Sequence, residues 1–313
     1  MSSARAILLH LLAVGTATLA AAACSALDGS GNRSSASQRP TSSSATPSAA
    51  GTGGSDTHAD AGPPPTRVTA ESLDVAGDPR SFVLAMPTTY STARTYPLVL
   101  VLHGDSSDGA SVRAALGLEY ASGGDAIVAY PNGHDGWDLY DPASSDGDLA
   151  FLVALVDSLE SRFSIDRTRV FGMGFSSGAF MINQVACRRP ALFRAIAPHS
   201  GGAPSEPNDP SATTWSNAYT RCAGQTMGSG PAVMVIHGTA DTEVTFQSGD
   251  FTASYWAFVD GCDDTRSQRF SPAPCVADVC PQGKDVVLCP IPGLGHAIWQ
   301  GAADAAWGFF RSM

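Results

Sequence analysis

Short apolar runs separated by polar and glycine-rich stretches organise the chain from about residue 66 onward. Residues 97–103 are apolar without a break up to His103 and then meet Gly104. Unbroken apolarity over so few residues predicts a strand buried on both faces. Residues 125–130 predict a second such strand, ended by Pro131-Asn132-Gly133. Residues 81–86, 168–174, 193–198, 231–237 and 285–291 predict five more. Helical spacing lies between them. Across residues 148–159 the apolar positions Leu149, Leu152, Val153, Leu155, Val156 and Leu159 share one helix face, with Asp148 placed as its cap. Residues 177–187, 251–260 and 302–311 predict three further helices.

Strands alternating with helices predict an α/β domain with a mainly parallel central sheet, helices on both faces and no large cap domain. In such sheets the chemistry gathers beyond the C-terminal strand ends. Four turns qualify, after Leu102, Met173, Ile236 and Leu294. No internal repeat and no second folded domain are evident.

The N-terminal stretch has a different character. Arg5 and the apolar residues 7–20 lead to Ala21-Ala22-Ala23-Cys24, the pattern of a bacterial export signal over residues 1–24. Cys24 stands where a lipoprotein carries its lipid; plain secretion after one of the alanines is the alternative. Residues 25–65 are rich in Ser, Ala, Thr, Gly and Pro. They bury too little apolar surface to offset their ordering entropy, and so predict a disordered tether ahead of a domain over residues 66–313.

Composition narrows the classes. Of 313 residues, 43% are hydrophobic and 15% charged, and the formal charge is -11. That balance suits a folded core and argues against nucleic acid, whose phosphates would go unneutralised. Apart from Cys24 there are six cysteines: Cys187, Cys222, Cys262, Cys275, Cys280 and Cys289. An even set in an exported chain predicts three disulfides, with the pairing left open. Four of the six crowd into residues 262–289 and suggest a stapled excursion. Zinc is the competing reading, but the spacings do not form two Cys-x-x-Cys pairs and no His lies among them.

The chemistry centres on Gly174-Phe175-Ser176-Ser177-Gly178, which directly follows a predicted strand and opens a predicted helix. This is the strand–turn–helix context of a nucleophile elbow. A serine hydroxyl needs a base to take its proton, and the base needs an acid to orient it. Asp241, on the turn after residues 231–237, and His296, beyond the last predicted strand, supply those roles in the order Ser, Asp, His. Glu243 is a rival acid, and His237 a rival base that abuts a buried strand. Backbone N–H groups must meet the oxyanion of an acyl-transfer intermediate. The N–H of Ser177 is one candidate and that of Asp105, after Gly104, the second. The Asp105 carboxylate must then point away. Trp137, Phe175 and Trp299 are candidate walls of a substrate pocket, with core packing as the bland alternative.

These segments resemble a known family. Residues 169–187, Leu102-His103-Gly104, residues 236–241, Gly293-Leu294-Gly295-His296, residues 148–151, 193–198 and 256–262 are similar to secreted esterases of the feruloyl esterase and polyhydroxybutyrate depolymerase group. The resemblance covers most of residues 80–300. It implies an α/β-hydrolase fold, no cofactor and no metal, and cleavage of carboxylic esters outside the cell. It also implies a nucleophile at Ser176, an acid at Asp241 and a base at His296. The chain departs at Asp105, where members often carry Cys or another uncharged residue, and at Ser177, where they often carry Asn.

The expectation is an exported, monomeric serine esterase that acts on an ester substrate, polymeric substrates included, and meets a membrane only through a lipid on Cys24. Phenolic esters of plant cell walls lead, ahead of polyhydroxybutyrate. A peptidase of the same fold, which would call for a propeller or large cap, and a catalytically silent surface-binding lipoprotein are the other readings.

Overall fold

Residues Tyr96–Leu102 form a strand in which every side chain is buried, as their unbroken apolarity predicts. The computed structural model describes residues 66–134, 136–139, 147–205, 220–263, 266–281 and 284–313. The expected leader and tether over residues 1–65, Cys24 included, lie outside the described residues. In chain order the elements are β1 (Thr66–Val75), β2 (Asp78–Pro87), β3 (Tyr96–Leu102), α1 (Gly109–Leu116), α2 (Leu118–Ala121), β4 (Ile127–Pro131), α3 (Gly147–Arg162), β5 (Ile165–Phe175), α4 (Ser177–Arg188), β6 (Ala195–His199), β7 (Ala232–Gly238), α5 (Phe246–Asp260), β8 (Arg266–Arg269), β9 (Val276–Asp278), β10 (Val286–Ile291) and α6 (Ala302–Arg311).

The strands form one sheet in the order β1-β2-β4-β3-β5-β6-β7-β10-β9-β8. From β4 to β10 every pairing is parallel, and an antiparallel pair closes each end. Alternation along β3 sends Leu98, Leu100 and Leu102 to one face, where they meet α3, α4 and α5. Val99 and Val101 go to the other face, with α1, α2 and α6. Burying each such side chain contributes about 1.5–3 kcal/mol, so the central strands anchor both layers. Among the described residues no separate cap domain stands over the strand ends.

Several boundaries differ from the pattern reading, each for a physical reason. Strand β1 went unpredicted because it is half-exposed and largely polar, and it is ordered by pairing along its whole length with β2. Helix α5 begins at Phe246 rather than residue 251, through Ser248 and Gly249, whose low helix propensity hid its first turn. Asp148 does not cap α3. It lies within the helix's first turn, and its carboxylate instead pairs with the buried Arg80 and accepts the Asp138 N–H. The cysteines pair as Cys187–Cys222, Cys262–Cys280 and Cys275–Cys289, which leaves none of the six for zinc. The excursion before β10 is the β8–β9 pair, tied by its bridges to the end of α5 and to β10.

Candidate active site

Ser176 sits between β5 and α4 with φ 54° and ψ −123°, a backbone conformation an L-residue adopts only under constraint. The constraint comes from the flanking glycines. A Cβ on Gly174 would lie 2.3 Å from the Gly178 carbonyl oxygen, and one on Gly178 would lie 2.4 Å from that of His103. Strand, helix and the turn after β3 therefore meet backbone to backbone around the serine. The Ser176 N–H donates to the His199 carbonyl at 3.0 Å, which ties the elbow to the end of β6.

Asp241 and His296 come to the same rim from β7 and from the loop after β10. His296 Nδ1 donates to Asp241 Oδ2 at 2.8 Å, and its Nε2 lies 2.9 Å from Ser176 Oγ. The other Asp241 oxygen accepts the N–H groups of Glu243 and Val244, each at 3.0 Å. Burial disfavours the Asp241 charge, but the bonds from His296, Val244 and Glu243 outweigh it and hold the carboxyl below its ordinary value. The rivals stand close by but make other contacts. Glu243 lines the cavity but reaches Asp241 only through its backbone. His237 is fully buried and its Nε2 donates to the Val244 carbonyl at 2.8 Å, so it braces the Asp241 turn; burial lowers its pKa.

The turn after β3 is locked from behind. His103 Nδ1 donates to the Gly104 carbonyl at 2.7 Å, while its Nε2 accepts the Gly133 N–H at 3.1 Å. Trp137 donates its indole N–H to the His103 carbonyl at 2.8 Å and packs against that imidazole. It is buried in the core, so the expectation of a pocket wall is corrected: Trp137 supports the turn. Gly104 lies directly against the serine, where an added Cβ would be 3.2 Å from Ser176 Cβ. Asp105 follows it on the cavity wall, and its carboxylate reaches toward Gly136. Ser177 opens α4, where first-turn N–H groups have no acceptor within the helix.

A cavity of about 300 Å³ opens over the serine, lined by Gly104, Asp105, Phe175, Glu243, His296 and Ile298 on one side and by α1 on the other. Phe175 stands on this wall, its ring 5.1 Å from that of His296. Trp299 does not line the cavity; its neighbour Ile298 does. Trp299 acts through its backbone, donating its N–H to His199 Nε2 at 2.9 Å. His199 is the residue that pattern reading missed. It is fully buried, its Nδ1 lies 3.1 Å from Ser200 Oγ, and burial, reinforced by His237 and His296, takes its pKa down to about 3. The signal was there: Pro198-His199-Ser200-Gly201 ends a predicted strand, as the other turns do.

The family described as "Esterase PHB depolymerase" matches residues 80–215. The chain is 29% identical over 257 residues to a probable feruloyl esterase C of Aspergillus flavus, covering 74% of this chain and 84% of that one. It is 30% identical over 208 residues to feruloyl esterase B of Thermothelomyces thermophilus, covering 57% of this chain and 70% of the relative. The chain belongs to the feruloyl esterase and polyhydroxybutyrate depolymerase group of esterases. As a member it is a carboxylic ester hydrolase. Against five further relatives bearing the feruloyl esterase C name, the match spans 62 to 65% of the relative's length. The esterase also superposes on acetyl xylan esterase from Aspergillus awamori with a TM-score of 0.61 at 21% identity, covering 77% of this chain and 99% of that one. That likeness identifies the esterase's sheet and helices as the α/β-hydrolase fold.

Proposed function

We propose that Ser176, His296 and Asp241 are nucleophile, base and orienting acid of a serine esterase acting through an acyl-enzyme. The observation that carries this reading is the unbroken hydrogen-bond chain from Asp241 Oδ2 through His296 to Ser176 Oγ. Asp241 fixes the proton on Nδ1, leaving Nε2 free to take the serine proton. Oγ attacks the ester carbonyl as Nε2 accepts that proton. The N–H groups of Ser177 and Asp105 stabilise the resulting oxyanion. The tetrahedral intermediate collapses, His296 returns the proton to the departing alcohol, and Ser176 is left acylated. Water, deprotonated by His296, then attacks the acyl carbonyl; the second collapse frees the acid and restores the serine proton.

The substrate we assign is an ester of a phenolic acid. Its support is the feruloyl esterase relatives, together with a cavity of about 300 Å³ over the serine walled by the Phe175 ring, whose flat face suits a planar acyl group. The family match favours polyhydroxybutyrate as a second substrate. Export through residues 1–24, a lipid on Cys24, and a tether over residues 25–65 complete the reading; the three disulfides suit an oxidising compartment. A fluorophosphonate probe is expected to label the wild type and not Ser176→Ala, which also loses hydrolysis of methyl ferulate and p-nitrophenyl acetate. Full turnover by Ser176→Ala would refute the assignment. Labelled fatty acid fed to the producing cell should mark the wild type and not Cys24→Ser.

A further inference from the structure

A second concavity adjoins the catalytic cavity. It has a volume of about 420 Å³ and is bounded by α1, α2 and the start of α6. Ala115, on α1, lines both, so the two share part of their wall. Tyr120 lies in the second groove and is 46% exposed, the one exposed Phe, Tyr or Trp ring among the described residues. A lone exposed ring is ordinary, but this one is held. Gly117 joins α1 to α2 at φ 53°, and a Cβ there would come within 2.8 Å of the Tyr120 ring. Arg113 donates to the Tyr120 hydroxyl at 3.1 Å. Arg113 is in turn fixed, 2.6 Å from the buried carboxylate of Glu119, which also accepts the Tyr130 hydroxyl.

The polar groups indicate the occupant. Gln300 and Asp304 reach the groove from its far side, both exposed. The Arg113 cation is balanced by Glu119, and Asp304 adds a further negative charge. No net positive charge remains for a phosphate or carboxylate ligand. A flat aromatic face flanked by amide, carboxylate and guanidinium groups suits a neutral ligand with many hydroxyls. We propose that this groove is a saccharide subsite, in which Tyr120 stacks on a sugar ring of the alcohol portion while the ester carbonyl lies at Ser176. The inference rests on the reading of the enzyme as a phenolic-ester hydrolase and extends it to the sugar side of the substrate.

The test compares wild type, Tyr120→Ala and Tyr120→Phe on methyl ferulate, on a feruloylated arabinoxylo-oligosaccharide and on a soluble hydroxybutyrate oligomer. Tyr120→Ala is expected to lower kcat/KM for the feruloylated saccharide about tenfold relative to methyl ferulate, through KM. Tyr120→Phe should retain most of the preference, because the ring face persists. Independently, an ester-free arabinoxylo-oligosaccharide titrated into the wild type should shift NMR signals of α1, α2 and the start of α6, and should not do so in Tyr120→Ala. Failure to hydrolyse any phenolic ester would overturn the function reading, while the titration still judges the groove. No shifts on titration, equal losses on both ferulates, or a selective loss on the hydroxybutyrate oligomer would overturn the subsite.

Discussion

Replacing His199 with leucine should uncouple catalysis from folding and, at the same time, blunt the protein's sensitivity to acid. The imidazole accepts the Trp299 N–H at 2.9 Å, three residues beyond the catalytic candidate His296, while the His199 carbonyl accepts the Ser176 N–H at 3.0 Å. Leucine keeps the carbonyl and the apolar volume but leaves the Trp299 N–H unpaired, a cost of about 1–3 kcal/mol. The loop carrying His296 then loses an anchor. A displacement of about 1 Å at the reacting atoms lowers kcat by roughly 100-fold. The acid effect has a definite sign. His199 has its pKa lowered from 6.5 to about 3, so the unfolded chain takes up this proton before the native one does. Stability from this group is intact above the unfolded value and falls as pH drops below it. Between pH 7 and pH 5 the loss is about 2 kcal/mol. Urea denaturation of wild type and His199→Leu at both pH values isolates it, because other groups cancel in the double difference. The variant should show a pH-induced loss smaller by about 2 kcal/mol, and a kcat on p-nitrophenyl acetate reduced with KM little changed. Equal pH-induced losses in both proteins, or a kcat within twofold of wild type, would refute the reasoning.

Four other outcomes are expected. Gly178→Ala places a Cβ 2.4 Å from the His103 carbonyl and 2.6 Å from that of Leu102, so the elbow must shift; fluorophosphonate labelling should slow by roughly 100-fold. Asp241→Asn keeps an acceptor for the Val244 and Glu243 N–H groups but no longer stabilises a charged His296; kcat should fall by up to about 10⁴-fold, and a tenfold effect or less would count against its role. The double variant Cys275→Ala, Cys289→Ala opens a bridge spanning 14 residues and should lower unfolding free energy by about 3 kcal/mol, measured in urea without reductant. Asp260 is pushed up to about 6, first by burial and against the pull of Lys284, so its contribution is full below pH 4 and is lost as pH rises through 6. Asp260→Asn should therefore flatten the fall in stability between pH 4 and pH 8 by about 2 kcal/mol, and an unchanged slope would sink the argument.

What could be read from the residues divides along physical lines. The central strands were legible because burial on both faces leaves an unbroken apolar run, as at residues 97–103 and 231–237. The edge strand β1 was not, because its order comes from a partner and not from its own composition. At the site, chain order and strand-end position foretold which side chains gather. The structure brings Ser176, Asp241 and His296 within hydrogen-bond reach of one another. Direction was illegible. Nothing local to Trp137 reveals that its indole reaches back to the His103 carbonyl, or that Trp299 engages through its backbone. His199 hid for the same reason: its importance lies in what touches it across 100 residues of chain.

The three candidate catalytic groups come from the ends of β5, β7 and β10, and β10 is bridged to the excursion before it. A chain that stops before β10 lacks His296 and cannot hold all three groups at working distance. On the proposed mechanism turnover is thus a readout of assembly across the sheet: an enzyme refolding from denaturant should stay silent until β10 has docked beside β7, and regained hydrolysis reports that docking.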